Sequence, residues 1–337
     1  MKVLVDINED LFNRIKEVNQ GSSLSNFILI AIENQISLEK EQHMDLQDLG
    51  GLIKKPPENT LVKEKNLKKP GEVIDNLDFL KTPVDYNKLS GFPLKNSIKN
   101  EYIWGQYNKF FALKFAVRYL AYLQSKSNQL PVSLNEFHET CAQAASQMKQ
   151  ILIQSDTNAG RVWGEGFSTG LPDNEEKSRS RFKRHFIGYQ DTKGNPVGAL
   201  TDIGFIVIDN GKVALSQYGL AFAKIKNPIL DDDPFSSYLF SWEEQKYLID
   251  HIKNNISIEW NGMKSVIHWI NEGMNSPKKL NAKFATLDNT WTSKMANTYR
   301  TGMLARMLDL GFICRKKIGV KSNYIVTENG TKAMVDV

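Results

Sequence analysis

Alternating and helical patterns of apolar residues occupy the first forty positions of the chain. Residues 2–7 place apolar side chains at every second position, which predicts a strand. Apolar residues then repeat at helical spacing up to residue 18, which predicts a helix. Gly21 is suited to end that helix. Residues 24–35 predict a second helix that is apolar nearly all round. One strand and two helices cannot enclose a core, so we expect this segment to pair with a second copy of itself.

This N-terminal segment resembles the ribbon-helix-helix superfamily over residues 2–36. The similarity rests on the turn into the second helix, Gly21-x-Ser23-x-Ser25-x-Phe27-Ile28. In that family, strands paired between two chains enter the major groove, and the second helix holds a phosphate at its N-terminus. The resemblance implies a homodimer in which Lys2 faces the DNA and Ser23 lies near a phosphate.

The ribbon departs from the family at Asp6, where a basic or amide side chain is usual. A carboxylate can accept a hydrogen bond from cytosine but is repelled by nearby phosphates. Two alternatives therefore remain. The ribbon dimerises without reading bases, or the segment is a helical hairpin packed on the rest of the chain.

Residues 41–98 have no clear period. Glycines and prolines interrupt them, and six lysines between residues 54 and 69 make them locally basic. This composition predicts a partly disordered linker. The alternative is that the lysines contact phosphates or that the segment settles on the following domain.

The clearest helical pattern lies in residues 236–337. It predicts helices from Trp242 to Asn254, from Gly262 to Gly273, from Ser276-Pro277 to Phe284 and from Trp291 to Leu310. Gly311 ends the last of these, two short strands follow around a turn at residues 319–323, and Glu328-Asn329-Gly330 begins a final helix.

This order of helices and a basic hairpin resembles the winged helix-turn-helix of MarR and ArsR type regulators. The similarity covers residues 258–335 and rests on two runs, Leu304-x-x-Met307-Leu308-Asp309-Leu310-Gly311-Phe312-Ile313 and Tyr324-Ile325-Val326-Thr327-Glu328-Asn329-Gly330. It implies that the long helix enters the major groove and that the hairpin lies on phosphates or in the minor groove. A winged helix used for protein contacts alone is the alternative.

The resemblance assigns DNA contacts to two sets of residues. The set on the long helix is Thr292, Ser293, Lys294, Asn297, Thr298 and Arg300, and the set on the hairpin is Arg315, Lys316, Lys317 and Lys321. By side-chain chemistry, Asn297 can pair with adenine and Arg300 with guanine.

A second copy of the pattern lies upstream, in residues 99–235. Leu200-Thr201-Asp202-Ile203-Gly204-Phe205-Ile206 mirrors the run that ends at Ile313, and Ser216-Gln217-Tyr218-Gly219 mirrors Thr327-Glu328-Asn329-Gly330. Internal similarity of this kind indicates duplicated modules.

The densest basic run of the chain precedes the upstream copy of the pattern. Its members are Lys177, Arg179, Arg181, Lys183 and Arg184. Phe182 and Phe186 lie four residues apart, which puts both on one helix face and leaves the basic groups to point outward. We expect these groups to contact phosphates, and a solvated helix face is the alternative.

Composition changes this picture little. A net charge of +5 is mildly basic, and two distant cysteines indicate neither a disulfide nor a zinc site. The five histidines have no ligand spacing, so no metal or other cofactor is expected. No apolar run is long enough for a membrane span, and no signal peptide is recognised, which predicts a cytoplasmic protein without a membrane partner.

One pattern is typical of an enzyme. Pro172-Asp173 followed by Asp191-x-Lys193 resembles the carboxylate and lysine set of restriction-type nucleases, which hold a divalent metal. That chemistry needs the residues on adjacent strands, whereas Asp173 is expected at a helix start and Asp191 in a turn. We therefore expect no catalytic residues.

The sequence as a whole predicts a mainly α fold with short β-hairpins. Its expected parts are a ribbon-helix-helix dimerisation element (1–40), a linker (41–98) and tandem winged-helix domains (99–235 and 236–337). We expect a dimeric protein that binds double-stranded DNA sequence-specifically, as a transcriptional regulator. The alternative from another class is a DNA-binding accessory subunit that recruits a protein partner in plasmid maintenance, replication or mobile-element defence.

Overall fold

The computed structural model describes residues 77–95, 97–127, 130–161, 166–318 and 321–335. The expected ribbon-helix-helix element, with Lys2 and Ser23, and most of the expected linker lie outside these residues. The chain divides into two units, one of residues 66–315 and 324–337 and the other of residues 1–65 and 316–323. The first unit is called the body below, with an N-terminal half up to residue 235 and a C-terminal half after it.

The N-terminal half contains helices and short strands. They are α1 (Asp78–Lys81), α2 (Phe110–Lys126), β1 (Val132–Ser133), α3 (Leu134–Asn158), α4 (Glu176–Phe182), β2 (Tyr189–Gln190), β3 (Pro196–Val197), α5 (Ala199–Asp202), β4 (Ile206–Asp209), β5 (Lys212–Leu215) and α6 (Gln217–Lys224). A π-helical turn over Lys183–Ile187 follows α4 directly.

The helices of the C-terminal half are α7 (Trp242–Asn255), α8 (Ser257–Asn271), α9 (Pro277–Phe284), α10 (Ser293–Asp309) and α11 (Glu328–Val335). Strands β6 (Ile313–Ile318) and β7 (Lys321–Val326) pair with each other. The mainly α character and the short antiparallel strand pairs agree with the sequence-based expectation.

Side-chain caps explain where the C-terminal helices begin. Ser276 accepts a hydrogen bond from the Lys279 amide at the start of α9, as its position before Pro277 predicts. Thr292 does the same for Met295, so α10 begins at Ser293 and not at the expected Trp291. 

Helix α8 begins five residues before the expected Gly262. Gly262 lies inside the helix because the absence of a side chain leaves room there for the Tyr102 ring and the Met303 methyl group. Close packing, and not the start of a helix, therefore explains this glycine.

A three-stranded antiparallel sheet has the order β1-β5-β4. Val132 is opposite Val213 in the β1–β5 pair, and Ile208 is opposite the same Val213 in the β4–β5 pair. This sheet brings the strand that precedes α3 beside the hairpin that precedes α6.

The repeat expected upstream is visible in the backbone hydrogen bonds. In the first copy, Gly204 has a positive φ of 74°. The amide of Phe205 donates to the Leu200 carbonyl at 2.8 Å, and the Ser216 amide donates to the Phe205 carbonyl at 3.0 Å. A Cβ atom at Gly219 would overlap that same carbonyl.

The second copy has the same bonds at the matching positions. Gly311 has a φ of 70°. The Phe312 amide donates to Met307 at 2.9 Å, and Thr327 donates to Phe312 at 3.0 Å. A Cβ atom at Gly330 would again meet the Phe312 carbonyl. The two runs matched in the sequence therefore have the same local backbone structure.

The end of the expected linker is part of the body. Phe79 is 5% exposed, and its ring lies 5.3 Å from the Phe115 ring and 5.1 Å from the Tyr119 ring. The Phe92 amide donates to the Leu215 carbonyl at 2.9 Å. Apolar residues spaced too irregularly for a periodic signal thus pack on α2 and β5.

Buried ion pairs join the two halves of the body. Lys109 Nζ lies 2.9 Å from Asp309 Oδ1, and Lys114 Nζ lies 3.0 Å from Glu244 Oε1, with the second pair fully buried. Burial lowers the pKa of Lys114 to about 8, although the Glu244 carboxylate opposes this shift. The buried apolar residues of both halves also form one hydrophobic cluster. The segments expected as tandem domains therefore share one core.

Candidate nucleic-acid interface

A cleft of about 720 Å³ lies in the body between α4, with its π-helical turn, and α10. It is lined by Gly105, Gln106, Asn108, Gly170, Leu171, Pro172, Ser178, Arg181, Phe182, His185, Phe186, Asn297, Thr298 and Thr301. Two sets of residues that were assigned to DNA from unrelated patterns, the basic run and the long helix, thus meet at this cleft.

Helix α4 and the turn after it are anchored by two aromatic rings. Phe182 and Phe186 are both buried, and their rings stack with centroids 5.7 Å apart. This confirms the expected inward face. The turn ends at Gly188, whose φ of 119° favours glycine.

Three of the five basic side chains of the run have partners within the protein. Lys183 Nζ lies 2.8 Å from Glu139 and 3.4 Å from Glu176, and Arg179 also pairs with Glu176, at 2.9 Å. The guanidinium of Arg184 lies over the Tyr189 ring, at 5.0 Å.

Lys177 and Arg181 form no ion pair with the part of the chain that the structure describes, and both are exposed. Of the five basic residues, Arg181 is the one that lines the cleft. It is therefore the best placed of them to bind an anion there.

Basic and uncharged polar groups line the cleft. Neither aspartate nor glutamate is among its lining residues in the described part of the chain. Its polar groups are one guanidinium, one imidazole, three side-chain amides and three hydroxyls. The Thr298 and Thr301 hydroxyls already donate to the Lys294 and Asn297 carbonyls, at 2.9 and 2.8 Å. The Ser178 hydroxyl accepts a hydrogen bond from the Asp173 amide at 2.9 Å, which leaves its O–H to donate into the cleft. A surface of this kind suits a phosphate group.

His185 adds a donor but little charge. Partial burial lowers the pKa of this imidazole, and the neighbouring charges of Arg184 and Arg181 lower it further. The ring is therefore neutral at neutral pH and can donate one N–H.

The start of α10 presents polar side chains to solvent. Thr292, Ser293, Lys294 and Asn297 are exposed, and Thr298 is half-buried at the cleft. The Thr292 hydroxyl caps the helix, so it has a structural partner already. The other side chains leave this face rich in hydrogen-bonding groups.

Arg300 makes contacts within the protein at both ends of its guanidinium. Its Nη1 donates to the Pro277 carbonyl at 2.6 Å, and its Nη2 donates to Asn297 Oδ1 at 2.8 Å. The first bond ties α10 to the start of α9. The second fixes the amide of Asn297, so that its NH₂ group is the end left to meet a ligand.

We expect Arg300→Ala to lower the free energy of unfolding by about 1–3 kcal/mol, because hydrogen bonds from a charged group to α9 are lost. Chemical denaturation measures this change, with Lys294→Ala as an exposed control on the same helix. Unchanged stability together with lost preference at one base pair would instead make Arg300 a direct reader of guanine, as its sequence position suggests.

The position of α10 depends on a close backbone contact. A Cβ atom at Gly302 would overlap the backbone of Gly105, and one at Gly105 would overlap the backbone of Thr298. Gly105 and Thr298 both line the cleft. The two glycines therefore set the distance across this side of the site.

The basic hairpin is described in part. Lys316 is exposed, and the guanidinium of Arg315 lies 5.7 Å from the Tyr324 ring centroid. The side chains of Lys317 and Lys321 lie outside the described residues. Their expected contact with DNA stays a prediction.

Among the polar lining residues, Gln106, Asn108, Ser178 and His185 were not assigned to DNA from the sequence. Ser178 lies inside the basic run and His185 directly follows it. The run was interpreted from its charged side chains alone, and not from the uncharged hydrogen-bond donors beside them. Gln106 and Asn108 lie in a segment without periodicity, so nothing in the sequence pointed to them.

The carboxylates of the nuclease-like pattern have other partners. Asp173 pairs with Lys149 at 2.8 Å. Asp191 closes its own turn by accepting from the amides of Lys193 and Asn195, both at 2.8 Å. Among the described residues, no group of three histidine, cysteine, aspartate or glutamate side chains could hold a metal ion.

None of the helices within the described ranges is both long and apolar enough to cross a membrane.

Comparisons with protein-family models, with curated proteins and with solved structures found no match to this chain.

Proposed function

We propose that this protein binds double-stranded DNA sequence-specifically, with α10 in the major groove and the cleft beside it on the phosphate backbone. The observation that carries the proposal is the meeting of Arg181 and His185 with Asn297 and Thr298 around one cleft, whose described lining includes no carboxylate. Phosphate contacts fix the register of a protein on DNA, and base contacts supply its sequence preference. In this proposal the cleft makes the phosphate contacts, and the exposed start of α10 makes the base contacts.

Other features support a winged-helix reading of the body. The order β1-β5-β4 places a strand that precedes a helix beside a later hairpin, and α9, α10 and the β6–β7 hairpin follow one another in the C-terminal half. Exposed Lys278 and Lys279 lie at the start of α9, where a helix-turn-helix crosses the DNA backbone.

The shared core changes how tandem modules would act. Because buried ion pairs join the two halves, they would approach DNA as one rigid surface and not as independent readers. A ribbon-helix-helix dimer through residues 2–36, as the sequence suggests, would place two such bodies on one DNA. Transcriptional regulation is the role that fits a dimeric reader of this kind.

Two single substitutions separate the roles assigned here. We expect Arg181→Ala to weaken binding to every duplex about equally and to reduce the slope of log K against log salt by about one. Asn297→Ala is expected to lower the preference for one base pair by about 1–3 kcal/mol and to affect random DNA little.

Lys126, an exposed lysine at the end of α2 that does not line the cleft, serves as the matched control. Titration of a selected duplex and a random duplex at two salt concentrations measures all three variants. If Lys126→Ala and Arg181→Ala have equal effects, the cleft is not the phosphate site.

A further inference from the structure

Three large aromatic side chains are exposed to solvent in the chain segment that connects the two halves of the body. Phe235, Tyr238 and Trp242 are 47%, 73% and 69% exposed, whereas Phe240 between them is 5% exposed. Tryptophan and tyrosine dominate the binding energy of many protein interfaces. Exposed aromatic residues this close together in the sequence therefore mark a candidate contact surface.

The loop that carries these rings is ordered by its own hydrogen bonds. Asp233 Oδ1 accepts from the Phe235 amide at 2.9 Å, and the Ser236 amide donates to the Asp233 carbonyl at 2.9 Å. Arg161 Nη2 holds the Ser236 carbonyl at 3.3 Å, and the Tyr238 amide donates to the Ser236 hydroxyl at 3.2 Å. A partner would thus meet a preformed surface and would lose little entropy in ordering the loop.

A pocket of about 420 Å³ adjoins the loop. Tyr238 lines it together with the apolar side chains of Phe167, Leu239, Leu308 and Ile313. Arg315 and the Lys109–Asp309 ion pair, with 2.9 Å between Nζ and Oδ1, line it too. Its volume is sufficient for an apolar side chain, which is the usual anchor at the centre of an interface.

The charge of the loop is opposite to that of the whole chain. Residues 232–243, called the acidic aromatic loop below, contain Asp232, Asp233 and Glu243 but no lysine, arginine or histidine. All three carboxylates belong to exposed residues, whereas the chain has a net charge of +5. Such a surface repels DNA phosphates and attracts a segment rich in lysine or arginine.

We propose that the acidic aromatic loop and its pocket bind a basic segment of another protein. An apolar side chain of that segment enters the pocket beside Tyr238, and flanking basic side chains lie against Asp232, Asp233 and Glu243. This surface shares no lining residue with the DNA cleft. Arg315, which the sequence assigns to DNA on the hairpin, does line the pocket, but the proposal does not depend on the DNA proposal.

Three fluorescent peptides of equal length test the proposal on the full chain. One alternates lysine with leucine, one alternates glutamate with leucine, and one alternates lysine with serine. We expect the lysine–leucine peptide to bind best, because it alone supplies both the charge and the apolar anchor. Tyr238→Ala with Trp242→Ala should weaken its binding at least about tenfold. Asp232→Asn with Asp233→Asn should weaken it too, while the Asn side chain can still accept the bond from Phe235.

Ile153→Ala with Ile258→Ala is the control, since these side chains are 40% and 38% exposed elsewhere on the body. Thermal melting by circular dichroism checks that each variant is folded. Equal binding of the glutamate–leucine peptide, or unchanged binding by the Tyr238 and Trp242 variant, would overturn the proposal. A lower mass of that variant in light scattering would also overturn it, because the occupant would then be a second copy of this chain.

Discussion

Arg306→Ala is expected to lower the free energy of unfolding by about 3–5 kcal/mol, which is the cost of leaving a buried carboxylate without its partner. Both side chains of the Arg306–Glu259 pair are fully buried, with 2.7 Å between Nη2 and Oε1. The guanidinium also donates to the Ile103 carbonyl at 3.1 Å and to the Tyr107 carbonyl at 2.9 Å. The substitution would thus leave a charge and two carbonyl groups unsatisfied.

Glu259 completes this network by accepting from the Ile103 amide at 3.0 Å. Arg306→Met with Glu259→Leu removes both charges and should cost clearly less than the sum of the two single substitutions. The exposed Glu328–Lys332 pair supplies the control, and Lys332→Ala should leave stability unchanged. Urea denaturation of all variants measures these changes. Additive losses in the double variant would show that the pair is not coupled.

Gly302→Ala is expected to destabilise the fold by about 3 kcal/mol, the upper end of the usual range for overpacking. Helix propensity alone predicts the opposite sign, since alanine stabilises a helix interior by about 1 kcal/mol over glycine. The new methyl group would overlap the backbone of Gly105, which cannot rotate away as a side chain can.

Asn261→Ala, at an exposed position inside α8, is the matched control for helix propensity and should be neutral or slightly stabilising. Because Gly105 also lines the cleft, Gly302→Ala should weaken DNA binding as well. A rise in the denaturation midpoint for Gly302→Ala would disprove the close contact between α10 and residue 105.

The elements with strong local signals could be predicted from the sequence. Ser276-Pro277 at the start of α9 and Gly311 after α10 act through hydrogen bonds a few residues away. The inward face of Phe182 and Phe186 follows from helical spacing in the same way. Such features depend on neighbours along the chain, so a pattern of residue types contains them.

The contacts that join the halves could not be predicted, because they depend on residues far apart in the chain. Lys109 and Asp309 are separated by 200 positions. Nothing near Lys109 indicates its partner, and nothing near Gly105 indicates that α10 will cross it. The sequence thus led us to expect separate modules where one core exists.

The cleft illustrates the same limit. Its basic side and its polar helix were each recognisable from local composition, but their meeting depends on how α2, α4 and α10 pack. Packing also determines which charges are available, since Arg179 and Lys183 pair with glutamates while Arg181 lines the cleft. Residue type alone could not separate these three.

Sequence-specific DNA binding is the central claim, and selection of bound fragments from genomic DNA tests it most directly. The best fragment is then titrated against a random duplex at two salt concentrations. We expect a discrete motif that binds roughly a thousandfold more tightly than random DNA. Binding that is weak, steeply dependent on salt and without a motif would contradict the claim, and it would leave a general DNA-binding protein whose specificity comes from its partners.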